Sequence, residues 1–292
     1  MNTVFVIGSI NTDLVITAPY MPASGETLTG SGFFTAHGGK GANQAVAAAR
    51  LGGKVVMCAC VGDDDFGKSA VEALQKDGVD TTHIRVHKGV PSGTAVIVVV
   101  DGDNRIILDK GANALLSKTD VDETLAEAKE GDILLAQLET PIEVVGYALQ
   151  KAKEKGMLVI LNPAPADKSA EAFLGNCDLV IPNETETEIL GGKEHILKQT
   201  GGNLIITLGS KGFEITQNYQ STVYPCIKVK AVDTTAAGDT FCGGLVARLS
   251  KGDDLVTAAK FGSLAASIAC TRMGAQPSVP TEEEVNDYEV KL

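Results

Sequence analysis

The chain has 292 residues, 44% of them hydrophobic and 21% charged, which is typical of an ordered globular protein. Its 37 acidic and 25 basic residues give a net charge of −12, and no basic run interrupts this balance, which disfavours nucleic acid and anionic membranes as partners. The amino-terminal sequence has no basic segment before its short apolar run, and no apolar stretch is long enough to span a membrane, so we expect a cytoplasmic protein. Six cysteines without CxxC spacing and four scattered histidines favour reduced core thiols over disulfides or a zinc site.

The first predicted strand covers Val4 to Gly8, which places Asn11 and Asp13 just past its end. Three further segments of β character interrupt the later rhythm of strands and helices. They are Thr27 to Thr35, Gly93 to Val100 and Arg105 to Lys110, the last two joined by a turn at 101–104. We therefore predict a small separate sheet, built from insertions at about 12–36 and 92–111, that covers a site or pairs with another subunit.

The glycine-rich segment 36–44 (AHGGKGANQ) runs into an alanine-rich helix predicted over Ala45 to Leu51. Glycines allow a ligand to approach the backbone closely, and Lys40 and Asn43 add hydrogen-bond donors one helical turn apart. The segment is not a phosphate-binding P-loop, because Gly41 follows Lys40 where that motif has serine or threonine. Glycine-rich helix entries are common, so this segment alone indicates little.

From Val55 onward strands and helices alternate, as in a mostly parallel sheet covered by helices on both faces. The predicted elements are strand 55–61, helix 66–76, strand 133–136, helix 142–155, strands 157–161, 179–181 and 204–208, and a helix from Asp254 to Cys270. Thr140 and Glu143 around Pro141 form the pattern of a capping box, and Gly156 ends the same helix. A second capping pattern, Thr281 with Glu284, predicts a last short helix.

Polar residues and glycines follow one predicted strand after another. They are Glu139, Asn162, Asn183, Glu186, Thr207, Gly209 and Gly212. Ligands of open α/β sheets bind beyond the carboxyl ends of the strands. Each residue alone could be a turn former or a cap, but the collection predicts a small-molecule site at this edge.

The most informative stretch is 232–241 (VDTTAAGDTF), where small residues precede an acid and an amphipathic run begins. It predicts a loop that opens a helix, with the free amides of Ala236, Ala237 and Gly238 forming an anion site at the positive helix end. Asp239 then lies in the first turn, placed to accept the proton of a hydroxyl that attacks a phosphoryl group. Taken alone, the same residues also fit an acid that only stabilises the helix dipole.

Four motifs in this order resemble those of the ribokinase-like family of carbohydrate kinases, and the likeness spans essentially the whole chain. They are 38–44 (GGKGANQ), 183–186 (NETE), 233–241 (DTTAAGDTF) and 274–278 (GAQPS). The resemblance implies a single domain over 1–292 of three-layer α/β/α architecture, with a mostly parallel central sheet. It also implies a small β-sheet lid that forms a homodimer contact, and transfer of the γ-phosphoryl group of ATP to a sugar hydroxyl.

The resemblance assigns roles to individual positions. Asp239 matches the general base, and the amides of 236–238 match the anion hole. The positions for the sugar are Asn11, Asp13, Gly39, Lys40, Asn43, Ala95, Ile97, Glu139 and Asp239. The positions for ATP are Asn183, Glu186, Thr207, Gly209, Ser210, Gly212, Gly238 and Ser263, the first two also ordering hydrated Mg²⁺. A monovalent cation, K⁺, is expected at Asp233, Thr235, Ala269, Arg272, Gly274 and Ser278, mostly on carbonyl oxygens.

One departure from the family pattern is Ser263, because relatives often have a larger polar residue near the adenine. The expected reaction converts D-ribose and ATP into ribose 5-phosphate and ADP. Kinases for deoxyribose, another sugar or a nucleoside stay open as alternatives, since one hydroxyl more or less needs only one or two changed contacts. A catalytically silent sugar sensor is disfavoured by the presence of Asp239. An NAD-dependent dehydrogenase is disfavoured because GSIN at 8–11 lacks GxGxxG.

Overall fold

The computed structural model describes residues 1–289 and contains one large and one small β-sheet, with helices on both faces of the large one. The predicted α/β/α class, with a mostly parallel central sheet and a separate lid sheet, is confirmed. The strands are β1 (Thr3–Ile7), β2 (Asn11–Thr17), β3 (Ser31–Gly38), β4 (Lys54–Gly62), β5 (Ile84–His87), β6 (Gly93–Val100), β7 (Asp103–Asp109), β8 (Ile133–Ala136), β9 (Leu158–Leu161), β10 (Leu179–Val180), β11 (Leu204–Thr207), β12 (Phe213–Gln217) and β13 (Gln220–Tyr224). The α-helices are α1 (Lys40–Arg50), α2 (Asp65–Lys76), α3 (Lys118–Leu125), α4 (Ile142–Glu154), α5 (Glu184–Ile189), α6 (Lys193–Gln199), α7 (Ala237–Ser250), α8 (Leu255–Ala269) and α9 (Glu282–Glu289).

The large sheet has the strand order β13-β12-β11-β10-β9-β8-β1-β4-β5. All pairings from β11 to β5 are parallel, whereas β12 and β13 are antiparallel additions at one edge. Strand β1 is buried on both faces: Val4 and Val6 belong to the apolar cluster that includes α1, α7 and α8, and Phe5 and Ile7 belong to the cluster that includes α3 and α4. A strand covered on both faces reads as a continuous apolar run, which is why the sequence identified it.

Helices α1 and α7 pack with almost no space between them at Gly243. A Cβ atom at this position would lie 2.4 Å from the Cβ of Ala47 and 2.9 Å from the carbonyl oxygen of Gln44. Glycine is therefore required for this approach of the two helices. Because the contact lies within about two turns of the start of each helix, it brings the first turns of α1 and α7 side by side.

The lid is the small sheet, with the strand order β3-β2-β6-β7. Strand β2 pairs in parallel with β6 and antiparallel with β3, and β6 and β7 form a hairpin. The hairpin turn consists of Asp101 and Gly102, whose φ angles of 54° and 81° are those of a type I′ turn. The turn is shorter than the predicted 101–104, because residues 103 and 104 already pair with Val100 and Val99.

Several element boundaries differ from the predicted ones. Asn11 and Asp13 lie within β2, a strand that is formed by long-range pairing with β6 and that the sequence did not indicate. Strand β3 begins at Ser31, four residues later than predicted. Helix α1 begins at Lys40 and not at Ala45, so the glycine-rich segment supplies its first turn.

The predicted capping box at Thr140 is wrong. The N-cap of α4 is Pro141, whose ψ of 123° is not helical, so the helix starts one residue later than the box requires. The carbonyl of Pro141 accepts hydrogen bonds from the amides of Val144 and Val145. The capping box of Thr281 and Glu284 is present at the start of α9.

The sequence did not indicate β5, β12, β13 or the short helices α3, α5 and α6. Strands β12 and β13 are joined by Asn218 and Tyr219, which both have positive φ. Tyrosine is not a typical residue for such a turn, so the hairpin lacks its usual sequence pattern.

None of the helices within residues 1–289 has the length and apolarity needed to cross a bilayer.

Candidate active site

The site lies at the carboxyl edge of the large sheet, where β1, β8 and β9 end beside the first turns of α1 and α7. Hydrogen bonds connect residues from all five elements. They join Ser9 to Glu139, Gln44 to Asn162, and both Asn43 and Gln44 to Asp239. This is the edge at which the sequence predicts a small-molecule site.

Glu139 holds the start of α1. Its Oε2 accepts a hydrogen bond from the backbone nitrogen of Lys40 at 3.0 Å and another from the hydroxyl of Ser9. Such a carboxylate is stabilised by the positive end of the helix dipole. Gly39 has a φ of 89°, and a Cβ atom there would lie 2.7 Å from the backbone nitrogen of Asn11, so glycine is required where the chain enters the helix.

Asp239 lies in the first turn of α7, where the sequence predicts it, and is 7% exposed. Its Oδ1 accepts a hydrogen bond from Nε2 of Gln44 at 2.9 Å, and its Oδ2 accepts one from Nδ2 of Asn43 at 3.1 Å. Asn43 accepts a further hydrogen bond from Nε2 of Gln276 at 3.3 Å. Two donors from α1 therefore fix the rotation of the carboxylate.

The predicted anion site at the start of α7 has fewer free amides than expected. Ala236 is the N-cap, with a φ of 58° in the left-handed region that residues other than glycine seldom adopt. The amide of Ala237 donates to the carbonyl of Thr234 at 3.2 Å, so it is not free. Among the described residues no acceptor is found for the amides of Ala236 and Gly238. These two amides, together with that of Asp239, for which no acceptor is found among the described residues either, are the donors available to an anion.

The lid presents Asp13, Ala95 and Ile97 on one face. Asp13 pairs directly with Ala95 in the parallel register of β2 and β6, and Ile97 follows two residues later on the same side. Ala95 and Ile97 are buried, whereas Val96 between them is 40% exposed on the opposite face. The predicted sugar contacts of the lid therefore share its inner face.

Asn11 is buried where β2 begins, and Asn113 orients its side chain. Nδ2 of Asn113 donates to Oδ1 of Asn11 at 2.8 Å and to the carbonyl of Ile10 at 2.9 Å. The oxygen of the Asn11 amide is thus occupied, so its NH₂ group is left to donate to a ligand.

Charges of both signs lie close together in the site. The charges of three carboxylates, those of Asp239, Glu139 and Glu186, act on the Lys40 ammonium group. Burial lowers the pKa of Lys40, but these negative charges outweigh the effect and raise the pKa above its ordinary value. Burial raises the pKa of Asp13 to about 6, and the charge of Glu139 adds to this shift. Burial is also the main reason that the pKa of Glu186 is raised.

A cavity of about 520 Å³ opens on the other side of the start of α7. Six of the eight positions predicted for ATP line it: Thr207, Gly209, Ser210, Gly212, Gly238 and Ser263. Its walls also include Phe213, Phe241 and residues 226–229, which the sequence did not indicate. A largely apolar cleft with polar groups at one end has the size and composition of a small-molecule pocket.

The two remaining positions, Asn183 and Glu186, lie outside this lining and form a capping box at the start of α5. The side chain of Asn183 accepts from the amide of Glu186, and Oε2 of Glu186 accepts from the amide of Asn183, both at 2.8 Å. The charge of Lys40 lowers the pKa of Glu186 and the charge of Asp239 raises it. Glu186 therefore interacts electrostatically with both of these residues.

The predicted cation segments are tied together by Asp233. Its Oδ1 accepts from the amide and hydroxyl of Thr235, and its Oδ2 accepts from the amide of Gly274 at 2.9 Å. Partial burial raises the pKa of Asp233, but these hydrogen bonds outweigh it and leave the pKa below its ordinary value. The Arg272 side chain pairs with Glu284, so that position could offer only its carbonyl oxygen.

The sequence assigned no role to several polar residues that the site contains. These are Ser9, Gln44, Asn113, Gln137, Asn162 and Gln276. Asn162 was already noted in the sequence because it follows a predicted strand, and Gln137, which directly follows β8, could have been identified by the same signal. Gln44 lies inside the glycine-rich motif.

The family model for pfkB family carbohydrate kinases matches residues 1–282. The chain belongs to this family. The match covers nearly the whole chain, and the lid, the glycine-rich start of α1 and the acid of α7 all lie within it.

The chain is also similar to individual sugar kinases along its whole length. The ribokinase of Haemophilus influenzae is 44% identical, covering 98% of each chain. The deoxyribokinase of Salmonella typhi is 39% identical, covering 97% of each. The solved structure of an Arabidopsis thaliana ribokinase complexed with ribose and ATP has a TM-score of 0.87 and 30% identity, and the match covers 98% of each chain.

The raised pKa of Asp13 predicts a pH-dependent gain in stability for Asp13→Asn. Below pH 3.8, its ordinary pKa, Asp13 is neutral in the folded and the unfolded chain and costs no stability. As the pH rises from there through about 6, the folded chain must bury an ionised carboxylate, and this stability is lost. A shift of this size corresponds to roughly 3 kcal/mol at pH 7. Urea unfolding without sugar should therefore show Asp13→Asn to be more stable than the parent at pH 7 and equal to it near pH 4.

The matched control is Asp65→Asn, which removes an exposed carboxylate from the first turn of α2. We expect it to show no gain at pH 7. A gain for Asp13→Asn that is the same at pH 4 and pH 7 would contradict the burial of an ionised Asp13.

Proposed function

We propose that the protein is a ribokinase, which transfers the γ-phosphoryl group of ATP to D-ribose and yields ribose 5-phosphate and ADP. The observation that carries this proposal is the position of Asp239 between two binding regions. Its carboxylate is held by donors of α1, next to the polar groups that the lid covers, while Gly238 beside it lines the 520 Å³ cavity. A base between an alcohol site and an anion site is what phosphoryl transfer requires.

In the proposed reaction a sugar hydroxyl oxygen forms a bond to the γ-phosphorus, and the bond from that phosphorus to the bridging oxygen of ADP breaks. Asp239 accepts the hydroxyl proton as the new bond forms. The amides of Ala236 and Gly238 donate to the phosphoryl oxygens, where negative charge is greatest. Lys40, which lies close to Asp239 and Glu186, adds a positive charge at the same place.

The sugar is proposed to lie under the inner lid face. Asp13 and Glu139 offer carboxylate oxygens to its hydroxyls, and Asn11 and Lys40 offer donors, a mixture suited to a polyol. Ala95 and Ile97 contact its apolar side from the lid. Ribose is preferred over deoxyribose because the chain is 44% identical to a curated ribokinase and 39% identical to a curated deoxyribokinase. The ribose and ATP in the Arabidopsis thaliana complex support the same assignment.

The residues near Glu186 fit a hydrated Mg²⁺ ion better than a directly coordinated metal. Within residues 1–289 no group of three or more His, Cys, Asp or Glu side chains could hold a metal ion. Mg²⁺ keeps several waters and is usually bound through one or two carboxylates and the phosphates of the substrate, which suits Glu186 and Asn183. When bound, the ion would neutralise part of the phosphate charge.

The segments around Asp233 fit a monovalent cation such as K⁺, because they offer oxygen ligands only. The carboxylate of Asp233 joins the loop before α7 to the turn at Gly274, and the other predicted positions contribute carbonyl or hydroxyl oxygens. A cation here would lie behind the anion site and stabilise the conformation of the loop.

The outer face of the lid supports a homodimer. We define it as Leu14, Ile16, Phe33, Val96 and Ile107; the last three have exposures of 64%, 40% and 72%. Val96 and Ile107 are cross-strand neighbours, so the patch is continuous. An apolar sheet face of this kind is expected to be covered by a second copy.

The proposed function is tested by ADP release with D-ribose, 2-deoxyribose, fructose and adenosine in parallel, in the presence of Mg²⁺ and K⁺. We expect strong preference for ribose, and loss of turnover on chelation of Mg²⁺ that added Mg²⁺ restores. A preference for another acceptor would reassign the substrate. No turnover with any of them, together with stabilisation by sugar, would favour the sensor.

Asp239→Asn should lower kcat by about 10²- to 10⁴-fold, the usual contribution of a general base, while sugar binding measured by calorimetry changes little. Asp65→Asn again serves as the control, because it removes an acid from the first turn of another helix. If the two substitutions have equally small effects on kcat, Asp239 only stabilises its helix and is not the base.

Replacement of K⁺ by Na⁺ at constant ionic strength should lower kcat, because the smaller ion fits a site of fixed carbonyl oxygens less well. Choline chloride controls for ionic strength. Equal rates in K⁺, Na⁺ and choline would remove the monovalent cation from the proposal.

Ile107→Lys should convert the dimer into a monomer in sedimentation, since it places a charge in the outer lid face. Val223→Lys is the matched control, because Val223 is 59% exposed on an edge strand of the large sheet and outside the lid. A parent protein that is monomeric at micromolar concentrations would contradict the dimer.

A further inference from the structure

A chain of buried amides behind Asp239 has no part in the reaction as described so far. Nε2 of Gln137 donates to Oε1 of Gln44 at 2.6 Å, and Nε2 of Gln44 donates both to Oδ1 of Asp239 and to Oδ1 of Asn162 at 2.9 Å. Nδ2 of Asn162 donates to the carbonyl of Ile181 at 2.8 Å. Gln44 and Gln137 are both fully buried.

The carbonyl of Ile181, at one end of this chain, determines the direction of every hydrogen bond in it. The carbonyl of Ile181 can only accept, so the NH₂ group of Asn162 must face it and the oxygen of Asn162 must face Gln44. Gln44 must then turn its own NH₂ group toward Asn162, which also directs it at Asp239. The oxygen of Gln44 is left for Gln137, which donates. The backbone carbonyl of Ile181 thus determines that the Gln44 side chain donates a hydrogen bond to Asp239.

The chain is anchored at three neighbouring strands of the large sheet. Gln137, Asn162 and Ile181 directly follow the ends of β8, β9 and β10. No member of the chain lies in the lid strands. The orientation of Asp239 is therefore set by the most buried part of the fold and not by the sheet that covers the sugar.

We propose that Gln44 is the positioning residue of the catalytic base, and that Asn162, held by the carbonyl of Ile181, fixes the polarity with which Gln44 acts. The proposal rests on the role of Asp239 as the base. A donor on Oδ1, together with Asn43 on Oδ2, stabilises the carboxylate form and leaves the remaining lone pairs for the sugar hydroxyl. Gln44 contacts neither sugar nor nucleotide in this scheme and acts through Asp239.

Gln44→Met keeps the length of the side chain but removes the donor. It should lower kcat about 10- to 100-fold, the effect of one hydrogen bond to a charged group, with the KM for sugar changed less than about threefold. Gln137→Met is the matched control, because it removes an amide of equal burial but leaves the bond from Gln44 to Asp239. Its effect on kcat should be clearly smaller.

Gln44→Glu is the decisive variant, because it keeps the shape and the bond from Gln137 but directs a negative oxygen at Asp239. The acid limb of its pH–rate profile should move upward by about one pH unit or more, so that the loss of activity shrinks as the pH rises. A purely structural role would lower activity equally at all pH values. An acid limb unchanged from the parent, or a kcat for Gln137→Met as low as for Gln44→Met, would overturn the proposal.

Thermal unfolding and sugar binding by calorimetry identify variants that fail to fold. If Gln44→Met is unfolded, the pH profile of Gln44→Glu decides. A parallel assay of Asp239→Asn distinguishes failure of the proposed base from failure of the proposed positioning by Gln44. Turnover in Asp239→Asn would refute the base itself, whereas an inactive Asp239→Asn with parental behaviour of both Gln44 variants would refute only the positioning by Gln44.

Discussion

A buried carboxylate must be paired with donors, and the site is built around this requirement at Asp239. Leaving such a group without partners would cost several kcal/mol, so its surroundings cannot be varied freely. Both of its oxygens are bonded to consecutive residues of α1, Asn43 and Gln44. Those residues reach it only because Gly243 allows α1 and α7 to pack closely. The geometry of Asp239, the proposed base, is thus a consequence of how two helices meet.

The same requirement explains why the glycine-rich segment is helical. Taken by itself, a segment with three glycines in four positions has low helix propensity, and the sequence led us to begin the helix at Ala45. In the structure the first turn from Lys40 is held by Glu139 and Ser9, residues about 100 and 30 positions away along the chain. Long-range hydrogen bonds of this kind leave no local pattern, so the boundary could not be predicted.

The parts of the fold that were predicted are those with strong local signals. The buried parallel strands are continuous apolar runs, and α7 follows a loop of small residues, so their positions could be derived from the sequence. Strand β2 depends on pairing with β6, and the edge hairpin of β12 and β13 turns through Asn218 and Tyr219. Both depend on partners or turn residues without a typical pattern.

For the site, the sequence motifs indicated Asp239 and Asn43, and the family resemblance indicated six of the residues that line the cavity, but neither showed what connects them. The amide of Ala237 was expected to be free and is bonded to Thr234. Gln137 directly follows β8 and Gln44 lies inside the glycine-rich motif, but neither side chain is charged, and no sequence pattern indicates the partner to which each is hydrogen-bonded. Their importance becomes visible only when the direction of each hydrogen bond is followed.

An acidic protein that binds a polyanion needs positive potential at one place only, and the arrangement around Lys40 provides it. With a net charge of −12, the chain as a whole repels a nucleotide. Three carboxylates keep Lys40 charged despite its burial, and the free amides of Ala236 and Gly238 add partial positive charge without a counterion. The carboxylates that keep Lys40 charged include Glu139 and Asp239, which we assign to the sugar and to the base. Sugar binding and phosphate binding therefore depend on the same set of charges. A substitution that changes the charges for one of them also changes those for the other.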